Sequence, residues 1–159
     1  MAKTKVAHGH APHPSTKTRR NGCFACGKDN ATGMHLKFVL DETAGHAICR
    51  FKLGRRYQGP PGHAHGGIIA TILDEAMGKV NRLSNVLALT RTMNVEYLRP
   101  VPLGTHLTVV GRAQGVNGRE HLNIAEITGD RGEVLARSTG IFIAVDPGRM
   151  SAKFVGPKR

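Results

Sequence analysis

One long helix set among about six mostly antiparallel strands is what the sequence predicts, an α+β domain. Three observations carry this. A glycine-rich turn, Gly62-His63-Ala64-His65-Gly66-Gly67, opens into the one convincing helical run, about residues 65–81. Period-two alternation recurs on both sides of that run. Tight-turn signals at Asn117-Gly118 and Gly129-Asp130-Arg131-Gly132 divide the later strands. This pattern is not that of a doubly wound fold, and a single apolar helix face can be covered only by a sheet curling around it.

The elements follow in order. Leu36, Phe38 and Leu40 alternate with Lys37 and Val39 as a first strand, and residues 41–45 turn. Ala47, Cys49, Phe51 and Leu53 alternate as a second. Residues 54–63 are a loop dense in Gly, Pro and Arg, ahead of the helix. Leu89, Arg91, Met93, Val95 and Tyr97 share one face of a third strand, stopped by Pro100 and Pro102. Residues 105–114 make a fourth strand, and Asn117-Gly118, the preferred type I′ pair, returns the chain as a fifth over 119–128. Residues 133–145 make a sixth.

The helix has two faces. At about 100° per residue, Ile68, Ile69, Ile72, Leu73, Ala76, Met77 and Val80 form an apolar stripe that must pack on the sheet. Gly67, Thr71, Asp74 and Gly78 form a small, polar stripe opposite. It reads either as a solvated face or as a place where another body approaches closely, with Asp74 aimed at it. Two glycines in the first turn favour the second reading, because glycine is a poor helix former and close approach to backbone N–H groups is one reason to keep it. Glu75 and Lys79, four apart, read as a solvated surface pair. A helix start with bare amides suits a developing negative charge. From Gly67 to Asp74 is roughly 10 Å at 1.5 Å per residue. Asp74 therefore cannot serve as base at its own helix start, where reach is about 3 Å. Two identical helices meeting antiparallel across a two-fold axis would bring each Asp74 to the partner's Gly66-Gly67, which predicts a dimer with composite sites.

Length and composition bound the rest. The chain of 159 residues suits one domain over about 21–146, between a basic N-terminal tail (1–20) expected to be disordered and a flexible C-terminal tail (147–159). No apolar run approaches the roughly 18 residues of a membrane span. No secretory signal is evident, so a soluble cytoplasmic protein without membrane contact is expected. Net charge is +12, and residues 1–22 hold Lys3, Lys5, Lys17, Arg19 and Arg20 with no acid. That excess suits nucleic acid, a phosphorylated ligand or solubility. With 2 Tyr, 5 Phe and no Trp, the core lacks the interleaved aromatics of a base-stacking surface, so no nucleic-acid partner is expected. The 3 cysteines make no disulfide framework. Cys23-x-x-Cys26 is half of a zinc site at best, and His35 or His46 with Cys49 could complete it. Two reduced thiols in a turn are the simpler reading, so neither metal nor cofactor is expected. No nucleophile elbow, P-loop or dinucleotide fingerprint is present.

The combination of His65-Gly66-Gly67, Asp74 and Tyr97-Leu98-Arg99-Pro100-Val101-Pro102 resembles the hotdog-fold acyl-CoA thioesterases of the PaaI-like group. Gln58-Gly59-Pro60-Pro61-Gly62 and Cys23-Phe24-Ala25-Cys26-Gly27, with Asn30 and Gly33, are also typical of that group, and the likeness spans about residues 22–145. The resemblance implies a hotdog fold, an acyl-CoA substrate and a homodimer assembling to a homotetramer. It implies Asp74 as general base or nucleophile, the Gly66 and Gly67 amides as oxyanion hole, and Thr90 as the hydroxyl that helps place water. Gln58, offset by one position from the family's asparagine, is the nearest match for a carbonyl-assisting polar residue. Asn94, Glu96 and Arg119 match CoA-contact positions, with Arg119 as phosphate partner. His65 reads chiefly as a structural ring holding the turn, with an imidazole base as the alternative. A non-hydrolytic acyl-CoA or acyl-carrier binder on the same fold and a basic nucleic-acid-binding protein are the competing functions.

Overall fold

The computed structural model describes residues 20–148. The two expected tails lie outside the described residues over 1–19 and 149–159. Strands β1 (Val39–Asp41) and β2 (His46–Phe51) precede helix α1 (Gly66–Val80), and β3 (Ala88–Tyr97), β4 (Leu107–Asn117), β5 (Glu120–Thr128) and β6 (Val134–Ala144) follow it. The strands form one sheet in the order β1-β2-β4-β5-β6-β3, antiparallel at every pairing. The predicted α+β architecture is the observed one. Among the described residues, no helix is long and apolar enough to cross a membrane.

The sheet curls around α1 because the two surfaces complement each other in size. Ile69, Ile72, Leu73, Ala76, Met77 and Val80 are buried on the helix, as its apolar periodicity requires. The sheet answers with many small side chains, Gly111, Ala125, Ala136, Ser138 and Gly140, all buried. The backbone of α1 can therefore come close. A Cβ on Gly111 would run into the Ala76 carbonyl, and one on Gly140 would lie 3.1 Å from Met77 Cε. At the C-terminal end of α1, buried Asn123 donates from Nδ2 to Met77 O and to Asn81 Oδ1, both at 2.9 Å. Those bonds tie the last turn of the helix to β5.

Three local expectations are corrected. The first strand is shorter than the alternation suggested. His35 stands at φ +54°, which breaks the extended run, and the Leu36 amide donates to Ala25 O at 2.9 Å instead of joining the sheet. The β4–β5 hairpin closes one residue later than expected, with Asn117 opposite Glu120. Gly118, at φ +58°, is then the first loop residue, the glycine position of a type II′ turn instead of the Asn-Gly pair of a type I′.

The third correction concerns β3. Thr90 pairs with Phe142 and Thr92 with Ile141, so Arg91 is an extra residue, a β-bulge. A bulge shifts the alternation by one. Leu89 is consequently 47% exposed instead of sharing a face with Met93 and Val95, which pack on the core.

The close seat of α1 on β4 is directly testable. Gly111→Ala is expected to lower stability by about 1–3 kcal/mol, the range for overpacking a filled core. It should appear as a lower urea midpoint with an unchanged m value. A midpoint equal to wild type would mean that the helix does not pass this close to the sheet.

Candidate active site

The loop before α1 is folded back on itself by backbone bonds. Gly59 N–H donates to His63 O (2.9 Å), His63 N–H to Pro60 O (2.9 Å) and His65 N–H to Tyr57 O (2.9 Å). Gly59 has to be glycine, because a Cβ there would sit 2.8 Å from His65 Cα. Gly62, at φ +75°, makes the reversal. The folded loop delivers His65 as the N-cap of α1. Its Nδ1 accepts from the Gly67 amide at 3.0 Å. The ring thus holds the helix start in the manner of a capping side chain.

This capping bond separates the two glycine amides. The Gly67 N–H is occupied by the His65 ring, whereas the Gly66 N–H has no hydrogen-bond partner among the described residues. The Gly66 amide opens onto a cleft of about 400 Å³ whose lining includes His63, Ile69, Tyr97, Leu98 and Arg99. Tyr97 closes over the helix start, its hydroxyl donating to Gly66 O at 3.1 Å. A dipole-backed amide without a partner among the described residues, in a largely apolar cleft, is suited to donate to a polarised carbonyl oxygen.

Asp74 lies two turns along the same helix and is half-buried. Thr90 Oγ1 donates to its Oδ1 at 2.7 Å. Burial pushes the Asp74 carboxyl above the usual carboxylate range, the Thr90 bond opposes this, and the neighbouring Glu75 charge adds to it. The carboxylate lines a hollow of about 190 Å³ together with Gly78, Leu87, Ala88, Leu89 and Phe142. The bulge after Thr90 makes the pairing possible, because Thr90 and Tyr97, an odd number of positions apart, both reach α1. A regular strand would send one of them to the opposite face.

The predicted site residues therefore fall into separate groups within one chain. Gly66, Gly67 and His65 converge at the helix start, and Asp74 with Thr90 forms a second centre. Gln58 is exposed, with its backbone bridged to Ala64 and its side chain without a hydrogen bond among the described residues. Asn94 lies on β3, where its carbonyl accepts from Ser138 Oγ at 2.7 Å. Glu96 accepts from Arg137 Nε and Nη2 at 3.0 and 2.7 Å. Arg119 rests its guanidinium on Ala144 O at 3.1 and 3.0 Å. Ala144 and Arg137 are seven residues apart on β6, roughly 23 Å, so Arg119 and Glu96 do not meet within the chain.

Sequence reasoning missed two groups. Tyr97 was visible only as part of a motif, and its reach to Gly66 depends on the bulge, which has no sequence signal. The Glu75–Lys79 pair is not the solvated surface pair its spacing suggested. Its 3.0 Å ion pair has side chains only 18% and 12% exposed, beside the turn Cys23–Gly27. Lys79 Nζ also donates to Cys26 Sγ at 3.1 Å. Burial and a hydrogen bond to Glu75 push the Cys26 thiol up to about 11. Cys49 does not join this cluster. It is buried on β2 with its thiol on Arg50 O, and His46 instead meets Arg112.

Known proteins share this framework. A family model described as the thioesterase superfamily matches residues 61–119, which hold the His65-Gly66-Gly67 turn, Asp74 and Thr90. The acyl-coenzyme A thioesterase THEM4 of Rattus norvegicus is 29% identical over 125 residues, covering 78% of this chain and 54% of its own length. The chain spans about half the length of the curated relatives it matches. The crystal structure of RHA08564, a thioesterase superfamily protein, superposes with a TM-score of 0.73 at 30% identity, over 77% of this chain and 60% of that one. The E. coli PaaI protein shares the fold, with a TM-score of 0.64 at 18% identity over 70% and 80% of the two chains. Sequence, helix-centred sheet and relatives together show a chain similar to thioesterase superfamily proteins, built on the hotdog framework that PaaI shares.

Proposed function

We propose that this protein hydrolyses acyl-CoA thioesters at two composite sites in a homodimer. The observation that carries the reading is the pairing of a half-buried Asp74 carboxylate with the Thr90 hydroxyl at 2.7 Å, on the same helix that opens with a Gly66 amide unpartnered among the described residues. The THEM4 relatives, named acyl-coenzyme A thioesterases, support the substrate class.

In the proposed reaction, the thioester carbonyl oxygen accepts from the Gly66 amide of one subunit. The helix dipole stabilises the oxyanion as the carbonyl carbon becomes tetrahedral. Asp74 of the other subunit removes a proton from the attacking water or attacks the carbon itself. Thr90 orients that carboxylate by donating to Oδ1, leaving Oδ2 for the reaction. Collapse of the tetrahedral centre breaks the C–S bond. On the base route the proton that Asp74 took from water passes to the departing CoA thiolate. On the direct route CoA leaves as thiolate, and water then hydrolyses the acyl–Asp74 anhydride to free acid and carboxylate. The apolar wall beside Gly66, with Ile69, Leu98 and Val101, suits an acyl chain.

The partner is required by distance. Gly66 and Asp74 are eight residues apart, roughly 12 Å along the helix, and line different hollows. Strand β3 supports the dimer, since it is ten residues long and lies at the end of the sheet. Leu87, Leu89, Tyr97 and Leu98, on or beside it, are exposed. A long edge strand with apolar flanks is normally covered. Here a second copy meeting it antiparallel would bring α1 toward its symmetry mate.

Release of CoA from a panel of acyl-CoAs tests the roles. Asp74→Asn is expected to lower kcat at least about 100-fold with modest change in KM. Gly66→Pro keeps a residue suited to the first helical position but removes its N–H, and should cost about 100- to 1,000-fold. Thr90→Val removes a hydrogen bond to a charged group and should cost about tenfold or more. Wild-type turnover by Asp74→Asn on every substrate that the protein cleaves would remove the proposed chemistry.

A further inference from the structure

The turn Cys23–Gly27 is built to present two thiols together. The Gly27 amide donates back to Cys23 O at 2.9 Å. A Cβ on Gly27 would collide with the backbone of Cys23 and Asn21, so only glycine permits so tight a reversal. Both sulfurs face the Glu75–Lys79 ridge of α1. Cys23 Sγ lies 3.8 Å from Glu75 Oε2, and Lys79 Nζ contacts both Cys26 Sγ (3.1 Å) and Glu75 Oε1 (3.0 Å). One ligand atom from each of Cys23, Cys26 and Glu75 lies within 4.8 Å of the others.

We infer that Cys23, Cys26 and Glu75 form a binding site for one zinc-like divalent cation, with Lys79 as its outer charge partner. The geometry is close to what such an ion needs. Tetrahedral zinc with Zn–S of about 2.3 Å and Zn–O of about 2.1 Å sets its donor atoms about 3.6–3.8 Å apart. The Cys23–Glu75 pair already stands at 3.8 Å. Charge closes as well. Two thiolates and a carboxylate offset the dication and the Lys79 ammonium, leaving a neutral cluster at a partly buried site. Three protein ligands leave the fourth position to water. Two soft sulfurs favour zinc or cobalt over magnesium or calcium. The ion would clamp the cysteine turn to α1 one residue from Asp74. The inference does not depend on the proposed hydrolysis.

Cobalt titration of the reduced, metal-stripped full chain tests it. One Co²⁺ per chain should bind with thiolate-to-cobalt charge-transfer absorption and the visible bands of tetrahedral cobalt, bleached on adding Zn²⁺. The 9 histidines of the chain give no thiolate band, so binding elsewhere is distinguishable. Joint replacement Cys23→Ser and Cys26→Ser should abolish the charge-transfer band, and Cys49→Ser should leave it intact. Glu75→Gln should keep thiolate absorption but weaken affinity at least about tenfold. The site is overturned if the wild-type chain shows no thiolate band at saturating Co²⁺, or if the band survives loss of both cysteines.

Discussion

A helix locked in a fitted groove fixes the distance between its own functional groups, and the site depends on that constraint. Helix α1 buries Ile72, Leu73, Ala76 and Met77 completely, and the small residues of β4, β5 and β6 let its backbone nearly touch the sheet. Roughly 1.5–3 kcal/mol is associated with burying each large apolar side chain, so sliding or tilting the helix is costly. The Gly66 amide and the Asp74 carboxylate therefore remain about 12 Å apart. No side-chain rotation closes such a gap. Chemistry that uses both groups on one bond has to take them from different copies of the helix, and this is why the proposed function includes a dimer.

The strand beside that helix adds a second constraint. The extra residue Arg91 shifts the alternation of β3, so that Thr90 reaches Asp74 and Tyr97 reaches Gly66. A single irregularity thereby equips the start and the middle of the helix from one strand. It leaves Leu89 exposed near Asp74 and Tyr97, 54% exposed, over the helix start. The edge of β3 and the two hollows thus lie along one side of the molecule, the side that the proposed partner would cover.

Much of this was legible in the sequence, for physical reasons. Ile69, Ile72, Leu73, Ala76, Met77 and Val80 recur at helical spacing because one face is buried, so the helix could be read directly. Five of the six strands were bounded to within a few residues by alternation and turn glycines. Family resemblance singles out Asp74 as base or nucleophile and Thr90 as the hydroxyl that helps place water; the contact between these two residues, sixteen positions apart, is read only from the structure. What was not legible depends on single backbone angles or on distant contacts. His35 in the left-handed region ends the first extended run, and Arg91 bulges without any residue type that announces it. The Gly67 amide is taken by the ring two residues before it. Glu75 meets Cys23 across fifty-two positions, which no local pattern encodes.

A purified heterodimer of two inactive chains tests the central claim most directly. One chain carries Asp74→Asn and the other Gly66→Pro, with different affinity tags. If each site joins Gly66 of one subunit to Asp74 of the other, one of the two sites in this heterodimer is intact. It should then turn over an acyl-CoA at roughly half the wild-type rate per dimer, while both parent homodimers stay at least about 100-fold down. A heterodimer no more active than its parents would contradict a site shared between subunits.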